Sequence, residues 1–165
     1  MAVQHLYLEG NRLFRTKKPI IAAVHGAAVG GGLGLAMVAD FRVACPETRF
    51  CANFTRLGFH PGFGLTVTLP LVVGATKAAL MFYTSRRVRG DEAYEMGLAD
   101  VLVPQDQVRA AALTLAALVP PAVYQYRRRQ RAIEARDQLL VALSITRSQL
   151  QHVKERVRRN TRHKI

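Results

Sequence analysis

Between Val24 and Phe41 the chain reads VHGAAVGGGLGLAMVADF, with three consecutive glycines at 30–32, a fourth at Gly34 and no charge before Asp40. Glycine allows a ligand to approach the backbone closely, so this stretch is the first candidate for chemistry. A phosphate loop needs a lysine after the second glycine of G-x-x-x-x-G. Gly26 and Gly31 have that spacing, but Gly32 follows. The dinucleotide pattern G-x-G-x-x-G begins with Gly30 and Gly32 and then meets Leu35, and no acidic residue stands about twenty positions further on to hold a ribose. Pro19 to Ala39 is an uncharged run of about the length a bilayer requires of a helix, but His25, the glycines and the strand-like residues from Phe41 oppose a span. The remaining chemical reading is a strand, a glycine turn and a helix start acting together. The first N–H groups of a helix have no internal acceptor and lie at its positive end. A glycine there exposes them to a developing oxyanion, such as the enolate of a thioester. A tight glycine corner with no chemistry is the alternative reading of the same residues.

Other reactive groups are few. His25 closes the segment before the glycines, and His60 lies in HPGFG, a loop type that often carries function. His60 is the better candidate for a general base, and His25 reads more readily as a hydrogen-bonded structural residue. Asp40 reads as a cap or a structural partner. Cys45 and Cys51 are six apart, which fits neither a zinc pattern nor a disulfide framework, so both read as buried free thiols and no metal site is expected. No G-x-S-x-G elbow occurs, which removes support for serine hydrolase chemistry. YQYRRRQR, at 124–131, has the charge to bind phosphate groups, those of RNA among them, but a solvated helix face is the simpler reading.

The elements that must position these groups follow from pattern. The spacing of Leu6, Leu13 and Phe14 predicts a short helix over 6–16. The β-branched run before Gly26 predicts a buried strand, and LGLAMVAD a helix after the glycines. FRVAC and RFCAN read as strands around a turn at PETR. Residues 65–74 and 75–85 read as helices divided by Gly74, with Pro70 awkward inside the first. Asp91 and Glu92 suit a first helical turn and Gly97 a left-handed cap. ADVLVP then reads as a strand and Gln105 to Leu118 as a helix. The class is therefore α/β.

Pro120-Pro121 marks the one clear boundary, between a core at 1–119 and a basic helical tail at 120–165. The net charge is +13 over 165 residues. Residues 1–120 hold twelve Lys/Arg against eight Asp/Glu, whereas residues 121–165 hold twelve against three. Basicity is thus concentrated in the tail. Its stripe of Ile133, Leu140, Leu143, Leu150, Val153 and Val157 predicts a helix that packs on a partner surface, with nucleic acid the less favoured partner. The first nineteen residues show no secretory h-region, which suggests a cytoplasmic location.

Three stretches in order, KPIIAAVHGAAVGGGLGLAMVADFRVA, LGFHPGFGLTVTLPLVVG and VRGDEAYEMGLADVLVP, resemble the enoyl-CoA hydratase/isomerase family, the crotonase superfamily. The resemblance covers about residues 12–118. It implies a spiral of strand–strand–helix turns and a helical C-terminal region that makes trimer or hexamer contacts. It also implies an acyl-CoA thioester as substrate, with coenzyme A entering as part of that substrate and no other cofactor. Two backbone N–H groups polarise the thioester in that family, and the middle glycine that carries one of them matches Gly31. Gly30, Gly34, Phe54 and His60 fall at positions that would line the substrate. Three departures accompany the likeness. The pattern is entered near its middle, so the other oxyanion N–H and much of the coenzyme A pocket are expected to be missing. The two glutamates of the family's hydratases are matched by Gly34 and Phe54, neither of which can move a proton. The tail differs in composition from the family's last helices. The expectation is an acyl-CoA-binding protein of this family in which hydration by two glutamates does not occur and enzymatic activity is open. A non-catalytic half-spiral that oligomerises, or a basic nucleic-acid-binding protein acting through the tail, are the alternatives.

Overall fold

The computed structural model describes residues 10, 12–16 and 18–119. The tail, its boundary at 120 and residues 6–9 and 11 of the helix expected over 6–16 fall outside these residues; Gly10, Arg12 and Leu13 are helical.

The glycine corner sits between two small sheets. Strand β1 (Ile21–Val24) is followed at once by β2 (Ala27–Val29), then helix α1 (Gly31–Val38). The next turn repeats the plan, with β3 (Phe41–Ala44), β4 (Arg49–Cys51), a 3-10 turn at Thr55–Leu57, and helices α2 (Leu65–Val73) and α3 (Ala75–Thr84). The last elements are β5 (Val88–Arg89), α4 (Gly90–Glu95), β6 (Val101–Leu102), a 3-10 turn at Gln105–Gln107 and α5 (Val108–Leu118). One sheet has the order β1-β3-β6 and is parallel throughout; the other has the order β2-β4-β5, with β2-β4 parallel and β4-β5 antiparallel. The first two turns of chain each give one strand to each sheet before a helix returns it, because parallel neighbours need a crossover; in the last turn α4 separates β5 from β6. This is the spiral that the resemblance implied.

The main core lies between α1, α2, α3 and the second sheet, built from Leu33, Met37, Phe50, Leu65, Leu69 and Met81, all almost fully buried. A second cluster of Val43, Cys45, Val108 and Ala112 seats α5 on the first sheet. Arg42 is 1% exposed and ties the layers. Its Nε donates to the Leu98 carbonyl at 2.6 Å, Nη1 to the Ala39 carbonyl at 2.9 Å and Nη2 to Asp100 Oδ2 at 2.8 Å.

Four readings change in detail. β1 is half-exposed and not buried, because among the described residues it is an edge strand with β3 as its one neighbour. β2 intervenes between Gly26 and the glycine triplet, and β5 precedes α4; both are too short to show periodicity. α1 begins at Gly31, two residues earlier than the apolar pattern suggested. Pro70 lies within α2, forfeits one helical hydrogen bond, and still accepts at its carbonyl from the Gly74 N–H at 2.9 Å.

Candidate functional site

Gly30 turns the chain from strand to helix in a single residue. Its φ of 55° and ψ of −116° belong to a region that only glycine enters readily. Its N–H extends the β2-β4 ladder to the Cys51 carbonyl at 2.9 Å, and its carbonyl accepts the Gly34 N–H at 3.0 Å, the first bond of α1. The N–H groups of Gly31, Gly32 and Leu33 therefore have no acceptor within the helix. Leu33 is buried, while Gly31 and Gly32 are exposed, and a Cβ at either would meet no atom within 4 Å. No carboxylate sits in the first turn to neutralise the positive helix end. The corner thus offers two approachable donors with the helix dipole behind them. An apolar groove of about 480 Å³ opens beside it, lined by Gly32, Leu35, Ala28, Val24, Ile20 and Leu13 among others.

The surrounding polar groups hold the corner. Thr48 Oγ1 donates to the Val24 carbonyl at 2.6 Å and accepts from the Cys45 N–H at 3.1 Å. The Arg49 N–H reaches the Gly26 carbonyl at 3.1 Å. Asp40 Oδ2 accepts the Ile20 N–H at 3.0 Å, which is the structural pairing expected of it. His25 is exposed, and its carbonyl accepts from Gln105 Nε2 at 2.9 Å.

Two residues singled out in the sequence meet at Gly30. The Phe54 ring reaches within 3.8 Å of where a Gly30 Cβ would stand, and it packs half-buried against the main core. Gly34 is buried in α1, one turn beyond Gly31. His60 is exposed on the loop at 58–64 and has no hydrogen bond or ion pair with another described residue. Cys45 and Cys51 are buried free thiols. Cys51 donates to the Ser85 carbonyl at 3.1 Å, and burial pushes its thiol above the ordinary value, with the Arg87 and Arg56 charges pulling the other way. Among the described residues no three His, Cys, Asp or Glu side chains gather as a metal site, and no helix is long and apolar enough to cross a membrane.

Two contacts escape a sequence reading. Asn53 Oδ1 would lie 2.8 Å from a Gly30 Cβ, and the Phe63 Cβ 2.5 Å from a Gly34 Cβ. The one signal of the second was Gly34 itself, a glycine inside a helix where glycine is disfavoured, and nothing in the sequence pointed from it to Phe63.

Residues 2–160 match the family Enoyl-CoA hydratase/isomerase, so the likeness runs past the three motifs and into the tail. A crotonyl-CoA hydratase of Syntrophomonas wolfei is 41% identical over 103 residues, covering 60% of this chain and 40% of that protein. A peroxisomal fatty acid beta-oxidation multifunctional protein of Arabidopsis thaliana is 43% identical over 98 residues, covering 59% of this chain and 14% of that protein. Among solved structures, a probable enoyl-CoA hydratase/isomerase from Mycobacterium abscessus superposes with a TM-score of 0.73 at 28% identity, covering 81% of this chain and 53% of that one. An enoyl-CoA hydratase from Mycobacterium avium gives 0.65 at 32% identity, covering 78% and 58%. The chain thus spans less than half of these two curated relatives and somewhat over half of the solved structures.

Proposed function

The chain belongs to the enoyl-CoA hydratase/isomerase family of the crotonase superfamily, and on that premise we propose that its Gly31 corner binds an acyl-CoA thioester and polarises the carbonyl without hydrating an enoyl group. The observation that supports this reading is the open helix start: Gly30 in a glycine-only conformation, with Gly31 and Gly32 exposed and unobstructed at the positive end of α1. A thioester oxygen placed there accepts from the Gly31 N–H, and negative charge developing on it during enolate formation strengthens that bond. One oxyanion donor is worth roughly 3–4 kcal/mol.

Hydration needs more than this. A water must be activated and a proton delivered to the α-carbon, and each such acid or base contributes about two to four orders of magnitude. Gly34 and Phe54 carry no titratable atom. The proton-transfer candidate that remains is His60, on the loop whose Phe63 reaches Gly34. It would serve a substrate whose enolate forms by another route. Coenzyme A enters as part of the substrate, in a cytoplasmic setting.

Titration calorimetry with crotonyl-CoA and with free coenzyme A tests the proposal. Tighter binding of the thioester, weakened in Gly31→Pro, supports it; equal affinity for the two ligands contradicts it.

A second reading is supported by the edges of the two sheets. β1 and β2 each have one neighbour among the described residues, and the apolar groove lies beside both. Unpaired strand edges next to apolar surface favour association, so the fold serves as a homo-oligomerising module whether or not a thioester binds.

A further inference from the structure

Position 34 lies one helical turn beyond Gly31, on the same face of α1. Helical Cβ atoms lean toward the N-terminus, so a side chain at 34 would cover the turn that holds Gly30 and Gly31. That space is occupied. A Cβ at 34 would stand 2.5 Å from Phe63 Cβ, 2.9 Å from its Cγ and 3.2 Å from its Cδ1. The far end of the same ring would come within 2.6 Å of a Cβ at position 10. The Phe63 side chain therefore runs between two glycines, Gly34 at its root and Gly10 at its tip. The Phe14 ring packs at its side, with centroids 6.3 Å apart and planes tilted by 46°.

The backbone supports the same conclusion. Phe63 has φ 56°, in the left-handed region, and it is one of two non-glycine residues with positive φ among those described. An aromatic residue holds that strained conformation only where its surroundings over-determine it. Two cleared Cβ positions and one strained φ converge on a single ring.

We propose that Phe63 is the specificity-determining residue of the Gly31 site. Its side chain takes the volume through which a residue at 34 would reach a group bound at Gly31. It replaces a polar, proton-carrying wall with a dry apolar one and limits the width of the acyl group accepted there. The identity of the ligand rests on the thioester reading above; the steric coupling of 34 to 63 does not. A corollary is that a carboxylate at 34 is not accommodated by Gly34→Glu alone and requires a small residue at 63 as well.

The experiment has two arms. In the first, thermal melts compare Gly34→Ala in the wild-type chain and in a Phe63→Gly background. Alanine collides with Phe63 in the first case and should lower Tm by on the order of 5 °C. In the second case the space is open, glycine suits the positive φ, and alanine favours the helix interior, so Tm should hold or rise. An equal fall in both backgrounds overturns the coupling. In the second arm, calorimetry compares crotonyl-CoA with a branched acyl-CoA for wild type and Phe63→Ala, which removes the ring and keeps the Cβ. The proposal requires the ratio of affinities to move toward the branched ligand by about tenfold, the scale of a change of one or two methylenes in a pocket. An unchanged ratio overturns it. If Phe63→Gly does not fold, this ratio decides alone. If wild type binds neither ligand while the melts remain coupled, the thioester reading fails and the selectivity role fails with it, but the steric finding stands.

Discussion

Gly31 is the first residue of α1, a position where proline is tolerated because the N–H it lacks has no helical acceptor in any case. Gly31→Pro therefore removes one donor with little disturbance of the helix. Circular dichroism should be unchanged, while any turnover of a thioester should fall about 10²–10³-fold; turnover at the wild-type rate would mean that this N–H takes no part. Arg42 makes the opposite kind of prediction. Arg42→Met leaves the Leu98 and Ala39 carbonyls and Asp100 without their guanidinium and should cost about 3–5 kcal/mol in a denaturant melt; a loss below about 1 kcal/mol would show that solvent satisfies those groups. The glycine corner was legible because consecutive glycines between a β-branched run and an apolar helix have few other uses. Phe63 was not legible. An aromatic residue in a glycine loop has no periodicity, and its partner Gly34 lies 29 positions earlier in the chain. Arg42, in turn, read as an ordinary strand residue, since its partners at 98 and 100 are brought near only by the β3-β6 pairing.

The helices were legible to within a few residues, since α2, α3 and α5 carry enough residues for an apolar face to show and are closed by Gly74, Ser85 and Val119. Asp91 and Glu92 do fall in the first turn of α4, and Gly97 does adopt a left-handed conformation, with φ 81°. β2 and β5 were not legible, because strands of three and two residues are defined by their neighbours and not by their own pattern. One contact between elements is tested by Gly90, the first residue of α4. A Cβ there would overlap the Cys45 carbonyl at the end of β3, and backbone cannot swing aside as a side chain can. Gly90→Ala should lower stability by about 1–3 kcal/mol in urea unfolding; a neutral result would mean that α4 shifts freely against β3. Cys51, at the end of β4, supplies a pH signature. Burial raises its thiol pKa above the ordinary 9.0. Between that value and the raised one the unfolded chain has lost the proton that the folded chain keeps, so the thiol's contribution to stability falls as pH rises through the window. The melting temperature of Cys51→Ala should accordingly decline less steeply than that of wild type above about pH 9; parallel declines would place the alkaline sensitivity elsewhere.

In the molecule as a whole, the outer strands β1 and β6 of one sheet and β2 and β5 of the other each have one neighbour among the described residues, and the β1 and β2 edges lie beside an apolar groove. The purified 18.3 kDa chain should therefore associate at micromolar concentration, and sedimentation should show trimers or larger species; a monomer with a cooperative melt would contradict that. The spiral plan was accessible through family likeness, whereas the division of strands between two sheets was not, because register belongs to pairing and not to the strand alone. The Gly31 corner is proposed to polarise an acyl-CoA thioester without hydrating it. Ultraviolet absorbance of crotonyl-CoA mixed with the protein tests both halves together, since carbonyl polarisation moves the conjugated-enoyl band to longer wavelength and hydration removes it. A red-shifted band that persists with time and is lost in Gly31→Pro is the expected result. A band that bleaches within tenfold of the rate of an ordinary hydratase, or one that does not shift at saturating protein, would contradict it.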